Sequence, residues 1–469
     1  MTDVISVRPA HLSVRSIPRP AVHVVVGVFA AVFYALLSVS RFTGFQSGVD
    51  LTIFGQATRQ YAMLAEPLVR VKSQAPFNIL GDHFSPVLAA VAPFYAVWSD
   101  VRLLLLAQAV LLGVGVVIVG RFAGRHLEPN LALIVQIAFA VSWGILGAAR
   151  FDFHEVAFGV PLLALALVGA IERRDGLLIG AAGLLLLVKE DASLFVVGLG
   201  LFLMWQRRWR LGAWLTCSGV VWLVLTTQVL IPHFSYYGRY SYTSSQLPQG
   251  SGLLQGLMSA SVTNLASGGF WVFLIAMALV AGPGIISPVV LVALPTIALR
   301  LVSTNPVYFR TDLHYGALLV VVASFALVEV LKLPRPGRPL GYLRPPGWLI
   351  GLALAGAVFS ISTNGVLSQP IQTIACQGCS AARAVVAAVP DGATVAAGPS
   401  LGPHLVDRAE VSLANETWTD STGVALDVDW VILDIAEVGG WQEKRVAELR
   451  SDGFVTYRRA GSYLLLTRL

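Results

Sequence analysis

Six short clusters hold the residues whose types could carry acid–base, metal or phosphate chemistry, and each lies at the edge of an apolar run. Asp50 stands in the segment Gly48 to Gln56 and precedes a predicted amphipathic helix, Leu51 to Leu64. A carboxylate there either caps the helix or serves as a general base, and one side chain can do both. Asp82 and His83 come just before Ser85-Pro86, so they read as a helix cap, a proton shuttle or two metal ligands. Arg150 to Glu155 gathers Asp152, His154 and Glu155 at an apolar boundary. Arg150 alone would be a membrane anchor, but three neighbouring ionisable groups call for pairing, a cavity or a divalent cation. Asp82, His83, Asp152 and His154 are the candidate metal ligands, although no pattern such as H-E-x-x-H accompanies them. Lys189-Glu190-Asp191 is either an internally paired turn or part of a cavity wall, where the compact Lys189 ammonium suits a phosphate. His233, Tyr237 and Arg239, and later Arg310, Asp312 and His314, interleave cations with aromatics, a mix that suits sugar rings and interfacial lipid alike.

The rest of the chain is what has to position these groups. Of 469 residues, 56% are hydrophobic and 12% charged, with a mean hydropathy of +0.74, which excludes a soluble domain of this size. A charge at the bilayer centre costs about 3 kcal/mol or more, so one that persists lines a cavity, pairs or does chemistry. The formal charge of +6 would suit nucleic acid, but the arginines fall in short blocks between apolar runs and act as topology signals. No nucleic-acid partner is expected. Residues 1–20 read as a cytoplasmic tail leading into an uncleaved signal anchor, Ala21 to Ser40. Cys217 falls in a span, which leaves Cys376 and Cys379 as a disulfide candidate. A thioredoxin-like role would need that pair at a helix start after a strand, an arrangement the sequence does not predict.

The apolar runs are 21–40, 86–98, 101–120, 131–147, 156–171, 177–188, 192–205, 211–231, 270–280, 285–301, 316–331 and 348–366. If all crossed, Arg121 with Arg125, Arg173-Arg174 and Arg207-Arg208 would lie outside, against the positive-inside rule. Pro86 to Trp98 is too short to span, and leaving it at the outer face returns every basic block to the cytoplasm. The expectation is about eleven spans, N-terminus inside and C-terminus outside, with 177–188 and 192–205 forming a hairpin that has Lys189 to Asp191 at its tip. All six clusters then share the extracytoplasmic side. Residues 21–366 form the membrane domain, Pro334 to Gly347 a cytoplasmic linker, and 367–469 a small extracytoplasmic α/β domain. In that domain the patterns predict helices near 381–388 and 441–450, and strands near 394–397, 411–413, 430–435, 455–458 and 463–467.

Asp50-Leu51-x-Ile53-Phe54-x-Gln56, Gly81-Asp82-His83-Phe84-Ser85-Pro86, Phe151-Asp152-Phe153-His154 and Lys189-Glu190-Asp191 together resemble a bacterial family of predicted membrane proteins of unknown function. The resemblance runs from Ala21 to about His314. That family in turn resembles the C-type glycosyltransferases, polytopic enzymes that use polyprenyl-phosphate sugars. The resemblance implies a place in the bacterial plasma membrane, a polyprenyl-phosphate sugar as donor and a glycan, lipid or protein hydroxyl as acceptor. It also implies a catalytic carboxylate in the first outer loop, where Asp50 stands. Lys189, Arg239 or Arg310 would hold the leaving phosphate, with His83, His154, Glu155, Glu190, Asp191, His233, Tyr237 and His314 as further substrate contacts. Gly55 stands where that family more often has a second acid, so a two-carboxylate mechanism would have to draw on Asp152 or Asp82. A transporter or lipid flippase and a non-catalytic envelope scaffold are the rival readings. Paired Gly/Pro-broken segments in matching halves, which a transporter would favour, are not found.

Overall fold

The computed structural model describes residues 19–242, 253–332, 347–365, 376, 378–436 and 440–468. Most of the expected N-terminal tail and of the Pro334 to Gly347 linker lies outside these residues. Within them every apolar run is helical, because a chain in lipid must satisfy its own backbone groups. The helices up to the first long connection are α1 (Arg19–Thr43), α2 (Val49–Ala62), α3 (Ala92–Val97), α4 (Arg102–His126), α5 (Pro129–Ala140), α6 (Trp143–Arg150), α7 (Val156–Ile171), α8 (Asp175–Leu185), α9 (Ser193–Trp205) and α10 (Trp209–Leu225). Among the described residues five helical stretches are long and apolar enough to cross a membrane: Ala21–Thr43, Arg102–His126, Trp209–Phe234, Gly268–Ile286 and His314–Leu331. Helices α5 and α6 make a sixth if their 43° bend is allowed. Length and composition therefore account for five or six of the expected eleven spans, the other apolar helices being shorter. The run at 86–98 is a 3₁₀ turn, Pro86–Val91, continued by α3.

The basic blocks meet at one end of the bundle. Arg125 donates to Glu172 at 2.7 Å, Arg174 pairs with Glu172 at 3.1 Å, and Arg208 donates to the Ala170 carbonyl at 3.3 Å while pairing with Asp175. A continuous helix from Asp175 to Arg208 would hold those two about 50 Å apart. Instead the chain turns back between α8 and α9, as the hairpin reading expects, and Lys189 to Asp191 occupy the turn.

The C-terminal unit follows its predicted elements closely. Strands β1 (Thr394–Ala397), β2 (Glu410–Leu413), β3 (Trp430–Asp434), β4 (Phe454–Ala460) and β5 (Tyr463–Arg468) form one sheet of order β2-β1-β3-β5-β4. The first three are parallel, and β5 runs antiparallel to both β3 and β4. Cys376 and Cys379 are disulfide-bonded. Cys379 opens the helix Cys379–Val386, two residues before its predicted start, and β1 follows that helix, so among the described residues the pair is at a helix start but not after a strand.

This unit clamps the segment between α1 and α4. Gln56 on α2 donates to the Val411 carbonyl at 2.8 Å and accepts from the Val71 N–H at 3.0 Å, while Val406 belongs to the same buried cluster as Leu51 and Phe54. Asp407 accepts from the Tyr95 hydroxyl and from the Val101 N–H, and Asp420 accepts from the Gln74 N–H at 2.6 Å. His404 is stacked between Phe42 and Phe45, with ring centroids 4.1 and 3.9 Å away. Burial, with Arg102 and Arg383 nearby, pushes the His404 imidazole down to about 4, so it folds in neutral. The unfolded chain takes up a proton near pH 6.5 that the folded one refuses until about pH 4. Docking should therefore weaken across that window, by on the order of 3 kcal/mol, and change no further below it. The opening equilibrium of residues 43–60 in the intact protein, read from hydrogen exchange corrected for the pH dependence of the intrinsic rate, should rise from pH 6.5 to 4.5. His404→Phe keeps the stack without a titrating group and should flatten the rise; an equal rise in this variant would assign it elsewhere.

Candidate active site

Asp50 lies in the first turn of α2. The N-cap is Gly48, and its N–H donates to Asp152 Oδ2 at 2.7 Å. The capping role read for Asp50 therefore belongs to Asp152, a negative charge at a helix N-terminus supplied from across the fold. Burial, opposed by Arg41, leaves the Asp152 carboxyl above its usual range. Freed from capping, Asp50 is 34% exposed, and its Oδ2 is 3.7 Å from His154 Nε2.

The His154 ring is well fixed. Its backbone N–H donates to Gln108 Oε1 at 3.0 Å, its face stacks on His314 at 3.7 Å, and Nδ1 sits 3.1 Å from the Asp152 carbonyl. A carbonyl can only accept, so Nδ1 carries the hydrogen and Nε2 is left to face Asp50.

Asp82 caps nothing, since the 3₁₀ turn that follows is entered through Ser85 without a side-chain cap. It pairs with Lys72 and accepts from the Tyr242 hydroxyl at 3.0 Å. Burial raises the Asp82 carboxyl, but His83 and Lys72 outweigh it and hold the group below the usual carboxylate range. Gly81 is needed here because a Cβ would stand 2.4 Å from the Ser235 backbone nitrogen. His83 Nδ1 is 2.7 Å from Glu190 Oε1, which also accepts from the Tyr240 hydroxyl at 3.0 Å. Burial and Lys189 push the His83 imidazole down, yet its carboxylate partner prevails and the group lies above its ordinary value. Lys189 Nζ contacts Glu155 Oε1 at 3.0 Å, with both side chains largely buried.

These groups surround two adjoining chambers. The outer one, about 190 Å³, is lined by Asp50, Lys72, Asp82 and His154 among others. The inner one, about 90 Å³, adds Asp191, Thr296, Arg300 and Tyr308. His83, Glu155, Lys189, Tyr242, His314 and Tyr315 line both. The sequence motifs thus meet at one place, opposite the basic end of the bundle.

The model for the predicted membrane proteins designated DUF2079 matches residues 42–460. The chain belongs to this family. Its fold is similar to that of ArnT from Cupriavidus metallidurans, in a crystal structure with undecaprenyl phosphate bound. The TM-score is 0.55 at 14% identity, covering 95% of this chain and 98% of ArnT. No curated protein matches the chain.

Several candidates of this DUF2079 chain stand apart from the chambers. His233 and Arg239 are exposed, and the Tyr237 hydroxyl donates to the Ser421 carbonyl at 2.7 Å, tying its loop to the C-terminal unit. Arg310 is exposed and chelates Asp312, with Nε 3.0 Å from Oδ1. Among the described residues no three His, Cys, Asp or Glu side chains are grouped to hold a metal ion. Asp152 turns to Gly48, and Asp82 and His83 have their own partners, so these candidate ligands are not gathered into one group with His154. Lys72, Thr296 and Arg300 were not singled out by sequence. Arg300 could have been: it breaks the run 285–301, the same signal that marked the other clusters.

Proposed function

We propose that the protein is a membrane glycosyltransferase that moves a sugar from a polyprenyl-phosphate donor to an acceptor hydroxyl at the extracytoplasmic face. The observation that carries this reading is the convergence of Asp50, His83, His154, Glu155 and Lys189, from four separate segments, on one outer chamber within an ArnT-like fold. The acceptor oxygen attacks the anomeric carbon as Asp50 takes its proton. The carbon–oxygen bond to phosphate breaks with both electrons leaving on the phosphate, and direct displacement inverts the sugar carbon. Lys189, a charge held in a partly desolvated wall, stabilises the leaving phosphate. An apolar groove of about 350 Å³, lined by Val91, Phe94, Val110, Leu111 and Phe158, offers a path for the lipid. Phe158 is one helical turn from Glu155, so this groove and the chamber share the start of α7. Purified protein should bind sugar-free polyprenyl phosphate saturably, in competition with a polyprenyl-phosphate sugar; no saturable binding would remove the donor from the scheme.

In this reading the basic end faces the cytoplasm, as the positive-inside rule requires, and the chain makes about eleven crossings. Tags after Arg125, Arg174 and Arg208 should report the cytoplasm, and a tag after Leu469 the outside. An external Arg208 tag would overturn the shared side of the clusters.

A further inference from the structure

Three buried polar atoms on the wall of the inner chamber have no hydrogen-bond partner among the described residues: Glu155 Oε2, Thr296 Oγ1 and His314 Nδ1. Their residues are only 1%, 5% and 6% exposed, so solvent does not replace the missing partners at low cost. The carboxylate oxygen needs a donor, the threonine hydroxyl takes either role, and the imidazole nitrogen takes one role or the other. A ligand hydroxyl is the group that answers all three. Phe195 and Tyr315 on the same wall supply apolar and aromatic surface for the C–H faces of a ring.

Charge narrows the ligand further. Glu155, Glu190 and Asp191 all line this chamber. Its cations are each held in place: Lys189 pairs with Glu155 at 3.0 Å, His83 Nδ1 lies 2.7 Å from Glu190, and the Arg300 guanidinium donates to the Tyr308 and Tyr315 carbonyls at 3.2 and 2.6 Å. Asp50 lines the outer chamber and not the inner one, so an acceptor hydroxyl delivered to Asp50 leaves the inner space to the donor. Resting on the donor reading above, we infer that the inner chamber seats the donor's sugar and takes a hydroxyl-bearing ring that carries no carboxylate, sulfate or phosphate. With Lys189 committed to the lipid phosphate, the three carboxylates outnumber Arg300 and His83, so a second anion would add charge to an already acidic wall.

The test measures binding of full-length protein in detergent to sugar-free polyprenyl phosphate, to its glucose, galactose, mannose and xylose esters, and to the glucuronate ester. The best neutral ester should bind about tenfold tighter than the sugar-free lipid, and the glucuronate ester no tighter. Thr296→Val, near-isosteric but without the hydroxyl, should remove a factor of about three or more from that gain, with sugar-free binding unchanged; Thr296→Ser should keep it. A glucuronate ester that matches the best neutral one, or a gain intact in Thr296→Val, overturns the assignment while the donor reading stands. Failure of the sugar-free lipid to bind overturns both.

Discussion

Asp50→Asn should leave the protein folded and able to hold its lipid donor while turnover falls by about two to four orders of magnitude. The substitution keeps the side-chain shape and removes only the capacity to take a proton. Folding should tolerate it because the N-terminus of α2 is capped at Gly48 by Asp152, not by Asp50. The amide also keeps a polar atom facing His154 Nε2, so the buried imidazole does not lose its polar neighbour. Turnover per folded molecule and thermal stability are the two measurements. Near-wild-type turnover would move the base elsewhere, with Asp82, the other aspartate of the outer chamber, next in line. Loss of the fold would make Asp50 structural.

Lys189→Ala should both destabilise the protein and abolish saturable polyprenyl-phosphate binding. Its ammonium faces the Glu155 carboxylate at 3.0 Å, and removing one member of a buried pair costs about 3 to 5 kcal/mol because the other charge is left uncompensated. Lys189→Arg keeps a cation and should retain part of the binding, although its planar fork does not reproduce a compact ammonium. The double variant Lys189→Met with Glu155→Gln separates the two effects. With both charges gone, thermal stability should return close to wild type, since a buried pair is often replaceable by uncharged groups of similar volume. Lipid binding should stay lost. If it returned with the fold, Lys189 would be a packing residue and the phosphate would need another partner.

Much of this site could be read in the sequence because the background is apolar. Against such runs Asp50, His83, His154, Glu155 and Lys189 are conspicuous, and the positive-inside rule alone assigns them to one side. The hairpin was legible for the same reason: Arg173-Arg174 and Arg207-Arg208 had to share a side, and Arg208 does contact Asp175 and Ala170. Long-range partnerships were not legible. Local sequence suggested that Asp50 or Asp82 caps its own helix, yet the cap at Gly48 comes from Asp152, about a hundred positions away, and Asp82 serves Lys72 and Tyr242. The exposed cations Arg239 and Arg310 look like Lys189 in composition, and only packing separates them from the chamber. Nor could periodicity show that His404 would close on Phe42 and Phe45, since docking of one unit on another leaves no pattern within either.

The most direct measurement incubates purified wild-type protein with radiolabelled polyprenyl-phosphate sugars and cell-envelope acceptors, and follows the sugar, its anomeric configuration and the released polyprenyl phosphate. The account predicts transfer to an acceptor hydroxyl with inversion and one polyprenyl phosphate freed per sugar moved. No transfer from any donor in the panel, with intact donor lipid instead carried across a reconstituted bilayer, would contradict it and make the molecule a flippase.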